Sequence, residues 1–237
     1  MQKSLLAAAL VLVLSPVAAY AADNDGWSGT GEFGLAIAKG NSDNQTLNAK
    51  LGLAKESDKW KHSFGAAFLY GKSNGTESAR RYEVSGSTGY RLTDRSYLFG
   101  SARNERDHFA ADEYQWTATG GYGFEAIKND DTHLTLEIGA GYRWAKLQNL
   151  RVHQNEAIAR GYMDFGHKFN ENTSFYDTLL IEAGSDNTFA RNDLGVMVKM
   201  TDALALKAGV EVRHNIDVSV GVKKTDTLTT LNVVYGF

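Results

Sequence analysis

From Trp27 to its last residue the chain repeats one pattern twelve times. Nine to fourteen residues alternate between apolar and polar, and a short polar break follows. A period of two places successive side chains on opposite faces of a strand, so each segment separates two different environments. Strands in soluble domains usually run about five or six residues. These segments match the roughly 9–11 residues that a tilted strand needs to cross a bilayer. The final stretch, 225–237, shows the pattern plainly. Thr227, Thr229, Leu231, Val233, Tyr235 and Phe237 share one face, and Asp226, Leu228, Thr230, Asn232, Val234 and Gly236 share the other. A soluble β-sandwich could end on such a strand, but it would not need twelve this long. The expected fold is all-β: a transmembrane antiparallel up-and-down barrel of 12 strands, the last closing on the first so that no edge is left.

The start of the chain carries an export signal. Lys3 precedes an apolar run over 5–14, and Ala19-Tyr20-Ala21 offers a small-residue cleavage site. The run is too short for a spanning helix, which takes roughly 20 residues. The expected organisation is a signal peptide over 1–21 cleaved after Ala21, a short lead over 22–26 and a barrel over 27–237. Losing Lys3 takes the formal charge from −3 to −4, which excludes a strongly basic nucleic-acid surface. The one proline, Pro16, lies in the signal, so no ladder in the mature chain loses a donor to proline. There is no cysteine, so an exported protein here is stabilised without disulfides. The mean hydropathy of −0.35 looks soluble. Alternation hides a membrane face from such an average.

The expected strands are 27–39, 45–56, 60–72, 81–92, 96–105, 114–127, 133–146, 156–168, 174–183, 192–200, 204–215 and 225–237. The fifth begins with Tyr97 and Phe99 and then loses its alternation. The breaks alternate in length. Short ones fall at 57–59, 93–95, 128–132, 170–173 and 201–203, and longer ones at 40–44, 73–80, 106–113, 147–155, 184–191 and 216–224. Short turns on one side and longer loops on the other suit an outer-membrane barrel with both termini on the periplasmic side. Aromatic residues fall near both sets of breaks. Trp27, Trp60, Tyr90, Tyr97, Phe124, Phe165, Phe175, Tyr235 and Phe237 lie by the short turns, and Tyr70, Tyr82, Trp116, Tyr142 and Trp144 by the longer loops. Two aromatic belts are what amphipathic rings form at two membrane interfaces.

The polar faces predict the lumen. They carry Glu32, Glu83, Glu125, Glu137, Glu156, Asp164, Glu182, Glu211 and Asp226, matched in number by Lys50, Lys61, Arg81, Arg91, Arg143, Arg160, Lys199, Lys207 and Arg213. A channel selective for one ion sign should show an excess of the other. Balance suits ion pairs laced across a narrow, mostly closed interior, with Glu137, Arg143, Glu156, Arg160, Asp164, Glu211 and Arg213 as the leading candidates.

The segments W-S-G-T-G-E-F-G (27–34), K-G-N-S-D-N-Q-T-L-N-A-K-L (39–51), Y-L-F-G (97–100), E-A-I-A-R-G (156–161) and E-A-G-S-D-N-T (182–188), with R-H-N and K-K-T-D-T within 213–227, resemble a proteobacterial family of salt-induced outer membrane proteins. The likeness runs through nearly the whole mature chain. It implies an outer-membrane barrel with a domain of unknown function and brings no catalytic residues. By the same kind of resemblance, Tyr235 and Phe237 look like the carboxy-terminal signal read by barrel-insertion machinery. Expected partners are therefore outer-membrane lipid and, during biogenesis, that machinery and periplasmic chaperones. The expected location is the outer membrane of a Gram-negative cell.

Chemistry-bearing motifs are sparse. His133 and Thr135 share an inward face, and His214 stands near Asp217 at the opposite rim. Thr is a poor nucleophile, and no second acidic pair accompanies His214, so a hydrolase is the weakest reading. The six histidines show no zinc spacing. The loops at 40–44 and 184–187 gather oxygen ligands without EF-hand spacing, and turn propensity accounts for them. No cofactor or metal is expected. The functional expectation is a non-enzymatic structural or salt-stress-related envelope barrel, and a small-solute or ion pore or ligand-binding barrel is the alternative.

Overall fold

The computed structural model describes residues 26–38, 43–110, 112–147, 153–218 and 223–237. Residues 1–25, which include the expected signal peptide, and parts of four loops, including 40–42 of one oxygen-rich loop, lie outside the described residues. Twelve strands follow in order: β1 (Ser28–Ala38), β2 (Asn44–Glu56), β3 (Trp60–Ser73), β4 (Thr76–Arg91), β5 (Ser96–Asp107), β6 (Asp112–Lys128), β7 (Thr132–Leu147), β8 (His153–Lys168), β9 (Thr173–Gly184), β10 (Thr188–Lys199), β11 (Leu204–Asn215) and β12 (Thr225–Gly236). Each pairs antiparallel with its sequence neighbours, and β12 returns to β1, giving the expected closed barrel. Closure satisfies backbone groups that no water could reach in a bilayer.

The two faces of the wall invert the plan of a soluble protein. Exposed on the outside are Phe33, Phe64, Val84, Leu136, Ile138, Val196, Leu206, Leu231 and Val233. Buried inside are Arg103, Glu105, Arg143, Glu156, Glu182, Glu211 and Arg213. Only a solvent as apolar as a lipid tail makes that wall favourable. Rings gather at both ends. Trp60 packs edge-on against Tyr90 at 5.1 Å, and Phe165 lies 6.1 Å from Phe175 at the end where β1 begins and β12 ends, the terminal end. Phe68 with Tyr82 (5.2 Å) and Tyr142 with Trp144 (4.9 Å) mark the distal end.

Three expectations are corrected. The break at 73–80 is not a loop. Asn74 and Gly75 take φ values of 49° and 80°, a tight hairpin turn of the kind that Asn-Gly forms, and β4 begins at Thr76. With β8 and β10 also starting earlier, the distal loops shrink, and 216–224 alone stays clearly longer than the turns at the terminal end. Second, β5 keeps its alternation but with the opposite phase. Tyr97 and Phe99 are 6% and 7% exposed and face the lumen, whereas Leu98 between them is 51% exposed on the outer wall. Tyr97 therefore does not belong to an aromatic belt. Its ring lies against Gly123 of β6, where an added Cβ would sit 2.2 Å from the ring carbon that bears the hydroxyl, and Gly89 of β4 flanks it. Glycine on both neighbouring strands makes the room that a large inward ring needs. Third, β10 begins at Thr188, which brings Phe189, Arg191 and Asp193 onto the inner face.

Candidate functional site

The inward charges join into one network. Arg191 Nη1 of β10 donates to both carboxylate oxygens of Glu83 of β4 at 2.8 Å, across the barrel. Glu83 also stands 3.9 Å from Arg103 and 3.7 Å from Arg213. Arg103 holds Glu105 at 2.8 Å and Glu182 at 2.6 Å, and Arg213 donates to both oxygens of Glu105. Arg143 continues the chain to Glu156 at 2.8 Å and to Glu182 at 3.6 Å. On the other side Glu211 meets Lys50 (3.3 Å), Arg81 (3.2 Å) and Arg213 (3.7 Å). Lys50 reaches Asp193 at 2.9 Å, and Arg81 reaches Asp107 at 2.8 Å. The network takes side chains from β2, β4, β5, β7, β8, β9, β10 and β11.

Two further sets of contacts brace it. The guanidinium groups of Arg103 and Arg213 both lie against the Phe189 ring, at 5.2 and 5.0 Å from its centroid, so two cations rest on one aromatic ring. Arg143, 2% exposed, also donates to the backbone oxygens of Asn187 (3.0 Å) and Glu182 (3.2 Å). That ties the network to the 185–187 turn. Glu156 accepts from the Asp186 backbone N–H at 2.7 Å in the same turn.

A second, looser set lies toward the terminal end. Arg160 pairs with Glu137 at 2.6 Å and stacks over Phe99 at 4.8 Å, while the Tyr97 hydroxyl donates to Glu137 at 2.7 Å. Lys61 meets Glu125 at 2.5 Å, and Lys207 meets Glu32 at 2.9 Å. A cavity of about 440 Å³ opens here, lined by Lys61, Tyr97, Glu137, Arg160 and Tyr162 and bounded by Arg103 and Arg191 of the network.

Of the leading candidates, the structure brings Arg143 to Glu156, Arg160 to Glu137, and Arg213 to Glu211. Asp164 meets His133 Nε2 at 3.6 Å. Lys199, expected in the lumen, instead pairs with Asp202 in the adjoining turn. The sequence reading missed Arg103, Glu105, Asp107, Arg191 and Asp193. Extending the alternation forward through β5 from Tyr97, or backward through β10 from Gly195, would have found them. His214 Nδ1 lies 2.8 Å from Thr225 Oγ1 on the outer wall, and the Asp217 backbone N–H bonds to Asn187, so neither residue is spent on the other. Tyr235 and Phe237 stack at 6.0 Å. The Phe237 backbone exchanges two hydrogen bonds with Gly29, at 2.6 and 2.9 Å, and its ring lies over that glycine.

Residues 31–237 match the family described as "Protein of unknown function, DUF481". The chain belongs to that family. The matched range takes in β2 to β12 and all of β1 but its first three residues. Among curated proteins, YdiY of Escherichia coli K12 is 25% identical over 166 residues, which is 69% of this chain and 64% of YdiY, less than two thirds of that protein's length. Among solved structures, an outer membrane channel from Pseudomonas putida F1 aligns with a TM-score of 0.54 at 10% identity, over 92% of this chain and 97% of that one. The NanC porin aligns with a TM-score of 0.51 at 12% identity, over 89% and 98%. At such identities the likeness shows the fold alone, which is that of the outer-membrane β-barrels.

Proposed function

We propose that this chain is a non-enzymatic integral barrel of the outer membrane whose lumen is held shut by transverse ion pairs, with a structural role in the envelope that includes salt stress. The turns at the end that carries both termini face the periplasm, and the 216–224 loop faces outward. The observation that carries the reading is the unbroken path from Asp193 through Lys50, Glu211, Arg213, Glu105, Arg103, Glu182 and Arg143 to Glu156. Groups from opposite walls occupy the middle of the lumen. Each carboxylate there has a cationic partner that offsets part of its desolvation. A pore would instead line its wall with charges and leave the axis to water. The salt-related role follows the family resemblance. Chains ending at Tyr235 and Phe237 would be taken up by the insertion machinery.

The test is swelling of proteoliposomes in small sugars. A closed lumen gives no swelling above empty vesicles, whereas swelling that falls with sugar size would establish the porin-like reading that the solved neighbours suggest.

A further inference from the structure

The seam between β1 and β12 is paired over only part of its height. The ladder joins Thr30, Gly31, Glu32 and Phe33 to Gly236, Tyr235, Val234 and Val233, after the Gly29–Phe237 exchange. Above it, residues 35–38 of β1 pair only with β2, and residues 225–231 of β12 pair only with β11. Among the described residues, no ladder joins these two edges in the distal half of the wall. The paired part ends at a clasp. Asn48 Nδ2 of β2 donates to Asn232 Oδ1 of β12 at 3.1 Å, passing over Gly34 of β1. A Cβ at Gly34 would lie 2.1–2.2 Å from the two amide oxygens, so glycine is what lets the clasp form.

Two cavities of about 200 and 220 Å³ lie inside the β12 edge of the seam, neither lined by β1. Both touch Leu228 of β12, Leu69 of β3, Arg81, Glu211 and Arg213. Leu69 and Leu228 are apolar inward residues set among charges, opposite Arg81 and Glu211 in register. A leucine facing water or ion pairs gains little, whereas two leucines on a shared cavity form an apolar wall.

We propose that the distal seam is a lateral entrance from the membrane to a dead-ended site for a small, net-neutral amphiphile. Its apolar part lies against Leu69 and Leu228, and its polar end meets the Arg81–Glu211–Arg213 side of the ion-pair network. Three observations converge on this. Strand edges at membrane depth are tolerated only where they line a cavity or are covered. A cavity stands directly inside this edge. Its polar wall carries paired charges, which favour a polar group without net charge over an ion. The site rests on the barrel lying in a bilayer, but it does not require the lumen to be closed.

The chain has no cysteine, so a single introduced thiol reports access. Leu69→Cys is reconstituted in phospholipid vesicles and treated either with N-pyrenyl maleimide, which dissolves in the bilayer, or with a sulfonated maleimide confined to water. Thr119→Cys, inward on β6, serves as the lumen reference. The expected result is labelling of Leu69→Cys by the pyrene reagent roughly tenfold faster than Thr119→Cys, because the bilayer concentrates an apolar reagent at the seam. Adding Leu228→Trp fills the cavity and removes that advantage, while the sulfonated reagent stays slow at both sites. Equal pyrene labelling at the two thiols, an advantage that survives Leu228→Trp, or faster labelling of Leu69→Cys by the sulfonated reagent would overturn the proposal. If Leu69→Cys does not assemble, Leu228→Cys reports the same cavities with Leu69→Trp as the block. Flotation with the vesicles and heat-shifted gel mobility report the bilayer reading separately.

Discussion

Arg191 on β10 grips the Glu83 carboxylate on β4 from the opposite side of the barrel. The two strands are six apart in either direction round the wall, so the 2.8 Å contacts span its full width. Arg213 of β11 and Glu105 of β5 stand in the same diametric relation. Two crossed struts explain why the middle of the lumen is occupied. They also make stability and permeability properties of the same side chains.

Replacing one partner of the strut leaves a half-buried charge without its counter-ion, so the full cost of a buried pair is an upper bound here. Breaking a buried pair costs about 3–5 kcal/mol, whereas replacing both partners by apolar groups is often close to neutral. Glu83→Gln should therefore lower the midpoint of thermal unfolding, followed by the gel shift between folded and unfolded barrel. The double variant Glu83→Leu with Arg191→Met should recover most of that loss. Equal losses in the single and double variants would mean that the pair contributes nothing specific.

Gly123 is a steric prediction. Its Cβ position clashes with the hydroxyl-bearing edge of the Tyr97 ring, so Gly123→Val should displace the ring and loosen the Tyr97–Glu137–Arg160 set. Overpacking of this kind costs typically about 1–3 kcal/mol. Adding Tyr97→Ser should restore part of the stability, because the clash then has no second partner. A Gly123→Val barrel that melts like the wild type would place the ring elsewhere.

Deleting Phe237 removes the two backbone bonds to Gly29 that begin the short seam. The expected outcome is lower outer-membrane content and periplasmic degradation, with signal cleavage unchanged, measured by fractionation and immunoblotting. Wild-type amounts of folded, heat-shiftable barrel from the truncated chain would rule out a part in assembly.

The fold was legible because its determinants are local. Period-two alternation, twelve segments of crossing length and a chain without proline after Pro16 require no knowledge of what touches what. The phase of β5 was not legible. Two leading aromatics, Tyr97 and Phe99, look like a membrane face until Gly89, Gly123 and Arg160 are known to surround them. Reading the phase from Arg103, Glu105 and Asp107 instead would have reversed it. The start of β10 was hidden because Arg191 and Asp193 beside a polar turn resemble loop residues. Which base meets which acid could not be read at all. Partners such as Lys50 and Asp193 lie 143 residues apart and are set by the closing of the barrel.

The most direct test of a lumen closed by charge is planar-bilayer recording of wild type, Arg143→Ala and Glu137→Ala in roughly 1 M salt, where the screening length falls to about 3 Å. Arg143 holds Glu156 and the 185–187 turn, and Glu137 holds Arg160 and Tyr97. The expected result is little or no wild-type conductance, with higher conductance in both variants as an unpaired group and a gap replace each contact. Large, steady wild-type channels with a strong preference for one ion sign would contradict the account.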